Sequence, residues 1–172
     1  MNTILYTGYD KAYEPLAALT VPLMRAYAKR HSMAFLDFQQ PPPPPLDIYW
    51  TGVWRGLHLL KTVGFQRVIY LDVDQLVTNM AFDIGAFIKE QRGFHVGRDW
   101  GLDAVTAAQC SACCLVMHQD CIAILEEIIS LEPEYRGKPF PEQAPMREVL
   151  QRQMLNGEGP VTFHPRRPFN TE

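Results

Sequence analysis

RVIYLDVDQLVTN, residues 67–79, is the stretch that decides the fold of this chain. Val68, Ile69, Tyr70 and Leu71 are apolar in succession, the composition of a strand buried on both faces. Two carboxylates, Asp72 and Asp74, follow at once. Strand residues two apart point to one side, so the spacing predicts that both carboxylates face the same way with Val73 turned opposite. Like charges held that close repel unless a cation or hydrogen-bond donors stand between them. A hard divalent ion with oxygen ligands meets that need, and such ions usually also hold substrate phosphates. The plainer alternative is a solvated turn in which the aspartates cap the next segment, although turns seldom follow directly on a run as apolar as VIYL.

Outward from this strand the chain alternates strands and helices. TILYT at 3–7 is a strand ended by Gly8. From Pro15 to His31, Leu16, Leu19, Leu23, Met24 and Tyr27 recur at the helical period. MAFLDF at 33–38 is a second strand, and the prolines at 41–45 read as a stiff surface spacer. Trp54, Leu57, Leu60 and Val63 mark a helix that Gly64 ends just before the strand at 67. Downstream, 83–91 is predicted as a short helix, GFHVGRD and SACCLVM as strands, CIAILEEIIS and PEQAPMREVLQRQ as helices, and VTFH as a last strand. Such alternation implies an α/β fold with a mixed, mainly parallel sheet flanked by helices. In open sheets of this kind ligands collect beyond the carboxyl ends of the strands, where Asp72 and Asp74 fall.

The 172 residues suit one domain spanning 1–172, since a chain of this length can bury an adequate core without staples. Apolar residues make up 47% and charged residues 20%, which excludes a disordered or coiled-coil chain. A net charge of -3 argues against a nucleic-acid partner. No apolar run approaches the ~20 residues of a membrane span, and the N-terminus lacks a secretory pattern. A cytoplasmic protein is therefore expected. The cysteines at 110, 113, 114 and 121 read as small, reduced core residues rather than a metal knuckle, because Cys113 and Cys114 lie inside the apolar run ACCLVM.

Three chemistries use paired aspartates after a strand. A calcium-binding EF-hand loop needs further oxygen ligands and a late glutamate, which Gln75 to Thr78 do not provide. The haloacid dehalogenase-like phosphatases use the first aspartate as nucleophile but place threonine or valine two residues after the second, where Leu76 stands, and need a later lysine plus an acidic pair, whereas no DD or GDxxxD follows here. The third is the DxD of nucleotide-sugar-dependent glycosyltransferases with the GT-A fold.

Several landmarks in order resemble the galactosyl- and mannosyltransferase family typified by the yeast α-1,2-galactosyltransferase and plant xyloglucan xylosyltransferases. YTGYD at 6–10 resembles its nucleotide-receiving segment, and AYAKRHSMAFLDF at 26–38 its "YA-x-x-H-G" helix end and second strand. The segment 48–79 resembles its helix leading into "W-x-D-x-D-x-x-x-x-N". GRDW at 97–100, PEQAP at 141–145 and PRRPFNT at 165–171 are similar to its later motifs. The resemblance spans nearly the whole chain.

It implies a metal-dependent transfer of a hexose from a nucleotide diphosphate sugar to a glycan hydroxyl, with Mn²⁺ or Mg²⁺ as the ion. By this resemblance Asp74 binds the metal and Asp72 binds the metal or the donor ribose. Thr7, Gly8, Tyr9 and Asp10 line the base and ribose, and Arg55 contacts donor phosphate. Asp99 touches the donor sugar, and Gln143 with Glu142 lies on its reacting face, consistent with retention. Ser111, Ala112 and Cys113 stand where the family carries an asparagine, a small residue and glycine. The family's third metal ligand is a histidine beyond the last residue here, and His164 is the candidate substitute, with Arg166 and Arg167 as candidate diphosphate partners. His58, His95 and His118 show no partner in the sequence. Two alternatives stay open: a nucleotide-sugar or glycan binding domain without turnover, and a phosphatase.

Overall fold

The computed structural model describes residues 2–88, 92–98, 110–139, 141–157 and 161–164. Strand β1 (Thr3–Gly8) is buried along its whole length, and β3 (Arg67–Leu71) nearly so, because each has a strand on both sides and helices above and below. β2 (Ala34–Phe38) lies at one edge and is correspondingly more exposed. Its partner β1 is parallel to it and to β3, with Tyr6 opposite Tyr70, so the chain leaves β1 and β3 at the same edge of the sheet.

Beyond β3 come β5 (Cys110–His118), β4 (Phe94–Arg98) and β6 (Val161–His164), giving the order β2-β1-β3-β5-β4-β6 among the described residues. β5 runs antiparallel to both β3 and β4, while β4 and β6 are parallel. The sheet is therefore mixed as expected, with one reversed strand in its middle. Between β4 and β5 the pairing slips: Val96 faces Leu115, yet Gly97 faces Ser111, so Ala112 to Cys114 bulge out of the ladder on that side.

Two apolar layers enclose the sheet. On one face Tyr6, Tyr70, Leu115 and Met117 meet helices α2 (Thr51–His58), α4 (Ile122–Ser130) and α6 (Gln143–Asn156). On the other, Leu5, Ile69 and Val116 meet α1 (Glu14–Arg30) and the short α3 (Ile84–Phe87). A short helix α5 (Glu132–Tyr135) links α4 towards α6, whose first turn accommodates Pro145. Full burial of each large aliphatic side chain contributes roughly 1.5–3 kcal/mol, so these two layers are the main source of stability.

Three sequence expectations change. The buried stripe of α1 is Ala17, Val21, Met24 and Ala28, whereas Leu19 and Leu23 face solvent; small alanines let the helix lie close on the sheet. α2 begins at Thr51 rather than Trp54 and buries Gly52, Val53 and Gly56, then widens into a π turn over Leu59–Val63 that leaves Val63 exposed. Gly64 ends that turn at φ 85°, a left-handed conformation that suits glycine. Finally, the proline run does not extend as a straight spacer. Leu46 N–H donates to Pro43 O and Pro42 is buried.

Candidate functional site

At the shared exit of β1 and β3 lies a cleft of about 280 Å³. It is bounded by Gly8 and Tyr9 at the end of β1, Asp72 to Asp74 after β3, Ser111 to Cys113 at the irregularity in β5, and Glu142 and Gln143 at the start of α6. Residues far apart in sequence thus meet because the fold brings these ends to one edge.

Gly8 is required by packing. A Cβ there would lie 2.2 Å from Thr51 Cγ2, so its absence lets α2 begin against the end of β1. Tyr9 is largely buried, and its hydroxyl donates to Asp37 Oδ2 at 3.3 Å, which leaves the ring to line the cleft. The aspartates do not extend the strand as alternation predicted. β3 ends at Leu71, and Gln75 N–H donates back to Asp72 O, so Asp72 and Asp74 belong to a turn. Val73 is nevertheless buried with Tyr9, Ala17 and Val21, and Thr20 Oγ1 donates to its carbonyl at 2.6 Å, so both carboxylates still line the cleft.

The two aspartates differ. Asp72 is held at its backbone by N–H donation to Cys113 O at 2.9 Å and at its side chain by the Tyr70 hydroxyl, which donates to Oδ1 at 2.5 Å. Asp74 is exposed and its Oδ1 accepts from Gln75 Nε2 at 3.0 Å. Burial pushes the Asp72 carboxyl up to about 6; the Tyr70 hydrogen bond opposes this and the Asp74 charge adds to it. Glu142 is pushed to about 7, chiefly by burial, with amides at the start of α6 opposing and the charges of Asp72 and Asp47 adding. Its Oε2 is buried without a hydrogen-bond partner among the described residues.

Three acidic groups therefore line a cleft whose described lining includes no lysine or arginine. That donor set, hard carboxylate oxygens without a compensating cation, fits a divalent ion. Among the described residues no three ligating side chains are close enough to hold an ion by themselves. Further ligands would come from water or a bound phosphate.

Other candidates fall elsewhere. Thr7 is wholly buried within β1, and Asp10 caps a short turn by accepting from Ala12 N–H at 2.9 Å; neither lines the cleft. The Arg55 guanidinium stacks on Phe38 and Trp54 and donates to Pro41 O at 3.3 Å, bracing the proline loop rather than reaching into the cleft. His164 alternates with Phe163, which packs on the layer of α4 and α6, so its ring lies on the opposite face of the sheet from Tyr70 and Leu115. There its Nε2 stands 3.0 Å from His95 Nδ1, and the Phe87 ring of α3 packs beside it. This position separates it from Asp72 and Asp74. His95 and His118, which had no evident partner, belong to the same cluster, and His58 stacks on Trp54. Asp99, Arg166 and Arg167 lie outside the described residues.

Sequence reasoning missed Tyr13, Tyr49, Gly52 and Tyr70 as lining residues and took Cys113 for core. Cys113 is half-buried in the cleft, with the Ser111 hydroxyl 2.9 Å from its sulfur; Cys114 and Cys121 are buried free thiols. Tyr13 follows the YTGYD segment by three residues and Tyr49 is the second residue of the segment 48–79, so proximity to those motifs was the available signal.

No protein-family model matches the sequence, and no curated protein sequence matches it. Solved structures do. A glycosyltransferase involved in glycosylation of the major capsid of PBCV-1 superposes with a TM-score of 0.73 at 19% identity, covering 96% of this chain and 82% of that one. The glycosyltransferase GlyE of Streptococcus pneumoniae TIGR4 gives 0.56 at 14% identity, over 95% of this chain and 45% of that one. The galactosyltransferase LgtC, in complex with donor and acceptor sugar analogs, gives 0.53 at 13% identity, over 95% of this chain and 74% of that one. No described helix is long and apolar enough to cross a membrane. At these identities the likeness speaks to architecture: the chain has the α/β GT-A fold seen in these glycosyltransferases.

Proposed function

We propose that this chain is a metal-dependent glycosyltransferase of one domain that moves a hexose from a nucleotide diphosphate sugar to a glycan hydroxyl, with retention at the anomeric carbon. The observation that carries the reading is the convergence of Asp72, Asp74, Glu142 and Gln143 on one cleft at the carboxyl ends of β1 and β3 in a GT-A fold. Neighbours of that fold are described as glycosyltransferases, one of them in complex with donor and acceptor sugar analogs.

In this reading Gly8, Tyr9 and Tyr13 receive the nucleoside, the tyrosine rings offering stacking faces. Asp72 and Asp74 hold Mn²⁺ or Mg²⁺, which when bound supplies Lewis-acid stabilisation of the departing nucleoside diphosphate. Gln143 and Glu142 face the reacting sugar, and Ser111 to Cys113 border the acceptor side. Asp99 is assigned to the donor sugar on its sequence position. Arg55, Thr7 and Asp10 act at a distance, through the proline loop and the β1 exit. Buried free thiols at Cys114 and Cys121 support a reducing, cytoplasmic setting.

A binding domain that retains the site without turnover is the second reading, favoured by one observation: His164, the candidate substitute for a third ligand, lies on the far face of the sheet. Thermal denaturation with Mn²⁺ and UDP or GDP tests the site, since ligand at a hundredfold over its dissociation constant stabilises by about 2.7 kcal/mol. No shift with either nucleotide refutes it. Sugar transfer or donor hydrolysis that vanishes in Asp74→Ala separates enzyme from binding module, and turnover of a generic phosphomonoester would favour a phosphatase.

A further inference from the structure

The two aspartates of the cleft are held very differently, and the difference traces to a packed chain of groups beneath Asp72. The Tyr6 hydroxyl donates to Gly52 O, fixing the start of α2 over the end of β1. Gly52 then leaves room for the Tyr70 ring; a Cβ there would lie 2.8 Å from Tyr70 Cδ1 and Cε1. Tyr6 and Tyr70 pack with ring centroids 5.2 Å apart, so the Tyr70 ring is walled by Tyr6 on one strand and Gly52 on the helix. Its hydroxyl ends on Asp72 Oδ1 at 2.5 Å. With its amide also donated to Cys113 O, Asp72 is fixed at two points before any ligand arrives. Asp74, held only by its neighbour Gln75, has no comparable support among the described residues.

We propose that Tyr70 is a positioning residue of the cation site: its hydroxyl orients the Asp72 carboxylate by occupying Oδ1, so that Asp72 offers the cation one oxygen in a preset direction. The proposal rests on the reading of Asp72 and Asp74 as the cation site. Partners that orient a ligating carboxylate from behind set affinity because they remove the cost of ordering it on binding. Asp72 is thus the preset ligand and Asp74 the one that adapts. In this role Tyr70 acts through the Asp72 carboxylate, and Gly52 acts by the space it leaves for the ring.

Tyr70→Phe keeps the ring and its packing and removes only the hydroxyl. Mn²⁺ binding to the full chain with UDP present, read from the electron paramagnetic resonance signal of free Mn²⁺, should weaken about 10- to 100-fold. The melting temperature without ligand should fall modestly at pH 7, because the Asp72 carboxylate loses its hydrogen-bond donor, and the fall should shrink towards pH 4. The Mn²⁺ concentration needed for half-maximal turnover should rise in step, with kcat recovering at saturating Mn²⁺. Gly52→Ala, which displaces the same ring, should weaken Mn²⁺ binding in the same direction. Unchanged or tighter Mn²⁺ binding by a folded Tyr70→Phe, or a lower melting temperature with unchanged binding, overturns the positioning role while leaving the site reading intact. Wild-type protein that binds no Mn²⁺ overturns both.

Discussion

Asp72→Asn should make the ligand-free protein more stable and the ligand-bound protein unobtainable. The Asp72 carboxyl is pushed from 3.8 to about 6, burial being the largest cause. A carboxyl whose pKa is raised by folding favours the fold below the unfolded value and opposes it above the folded value. At pH 7 both values have been passed, so the rise from 3.8 to about 6 corresponds to a penalty of about 3 kcal/mol at most. Asp72 borders an open cleft, and solvent reduces this to roughly 1–3 kcal/mol. Asparagine keeps the shape and can still accept from Tyr70, so replacing the charge should recover most of that amount. For a chain of this size the gain is roughly 2–10 °C in melting temperature.

The assay is thermal or urea denaturation of wild type and Asp72→Asn at pH 7 and pH 4, with and without Mn²⁺ and UDP. The advantage of the variant should be largest at pH 7 and shrink towards pH 4, where wild-type Asp72 is protonated in the folded state. Saturating Mn²⁺ and UDP should reverse the order by stabilising only the wild type. A variant no more stable than wild type at pH 7, or an advantage that does not change with pH, would refute the view of Asp72 as a half-buried carboxylate, supported only in part by Tyr70, awaiting a cation.

Asp74→Ala should change ligand-free stability by no more than about 0.5 kcal/mol, because the residue is exposed, yet abolish the Mn²⁺ and UDP thermal shift; a retained shift would remove Asp74 from the cation site. His95 is fully buried and its pKa is pushed down to about 4, by burial first and then by His164 and His118. Stability should therefore be intact above pH 6.5 and fall by up to about 3 kcal/mol as pH drops through 4, read from urea midpoints. A His95→Gln variant that keeps the full acid loss would assign it elsewhere. Gly8→Ala should cost about 1–3 kcal/mol by urea denaturation, since its Cβ meets Thr51 Cγ2, with partial recovery in Gly8→Ala/Thr51→Ala; recovery absent from the double variant would locate the strain elsewhere.

Part of the cleft lining could be read from local pattern. The apolar run VIYL before two carboxylates announced a core strand delivering acids to a sheet edge, because burial and charge are properties of the residues themselves. Gly8 and Gly64 marked real boundaries, since a close approach and a left-handed turn exclude most side chains. Helical periodicity located α1 and α2 but not their buried sides. Leu19 and Leu23 looked like core, yet the helix turns Ala17, Val21 and Ala28 inward to approach the sheet closely. Arg55 looked like a phosphate ligand, yet the aromatic pair Phe38 and Trp54 and the proline carbonyls hold its guanidinium.

By itself, then, the amino-acid order determined the alternation of strands and helices, the buried β3 strand and the paired acids after it, all of which follow from hydrophobic period and local charge. Only the tertiary structure decided the reversed β5, the bulge that exposes Cys113 to the cleft, the joining of Glu142 to Asp72, and the diversion of His164 to the far face with His95. These depend on which strands pair and on which side of the sheet each residue falls. A slip of one residue in register exchanges the two faces, so such placements are set by packing between distant segments rather than by neighbours along the chain.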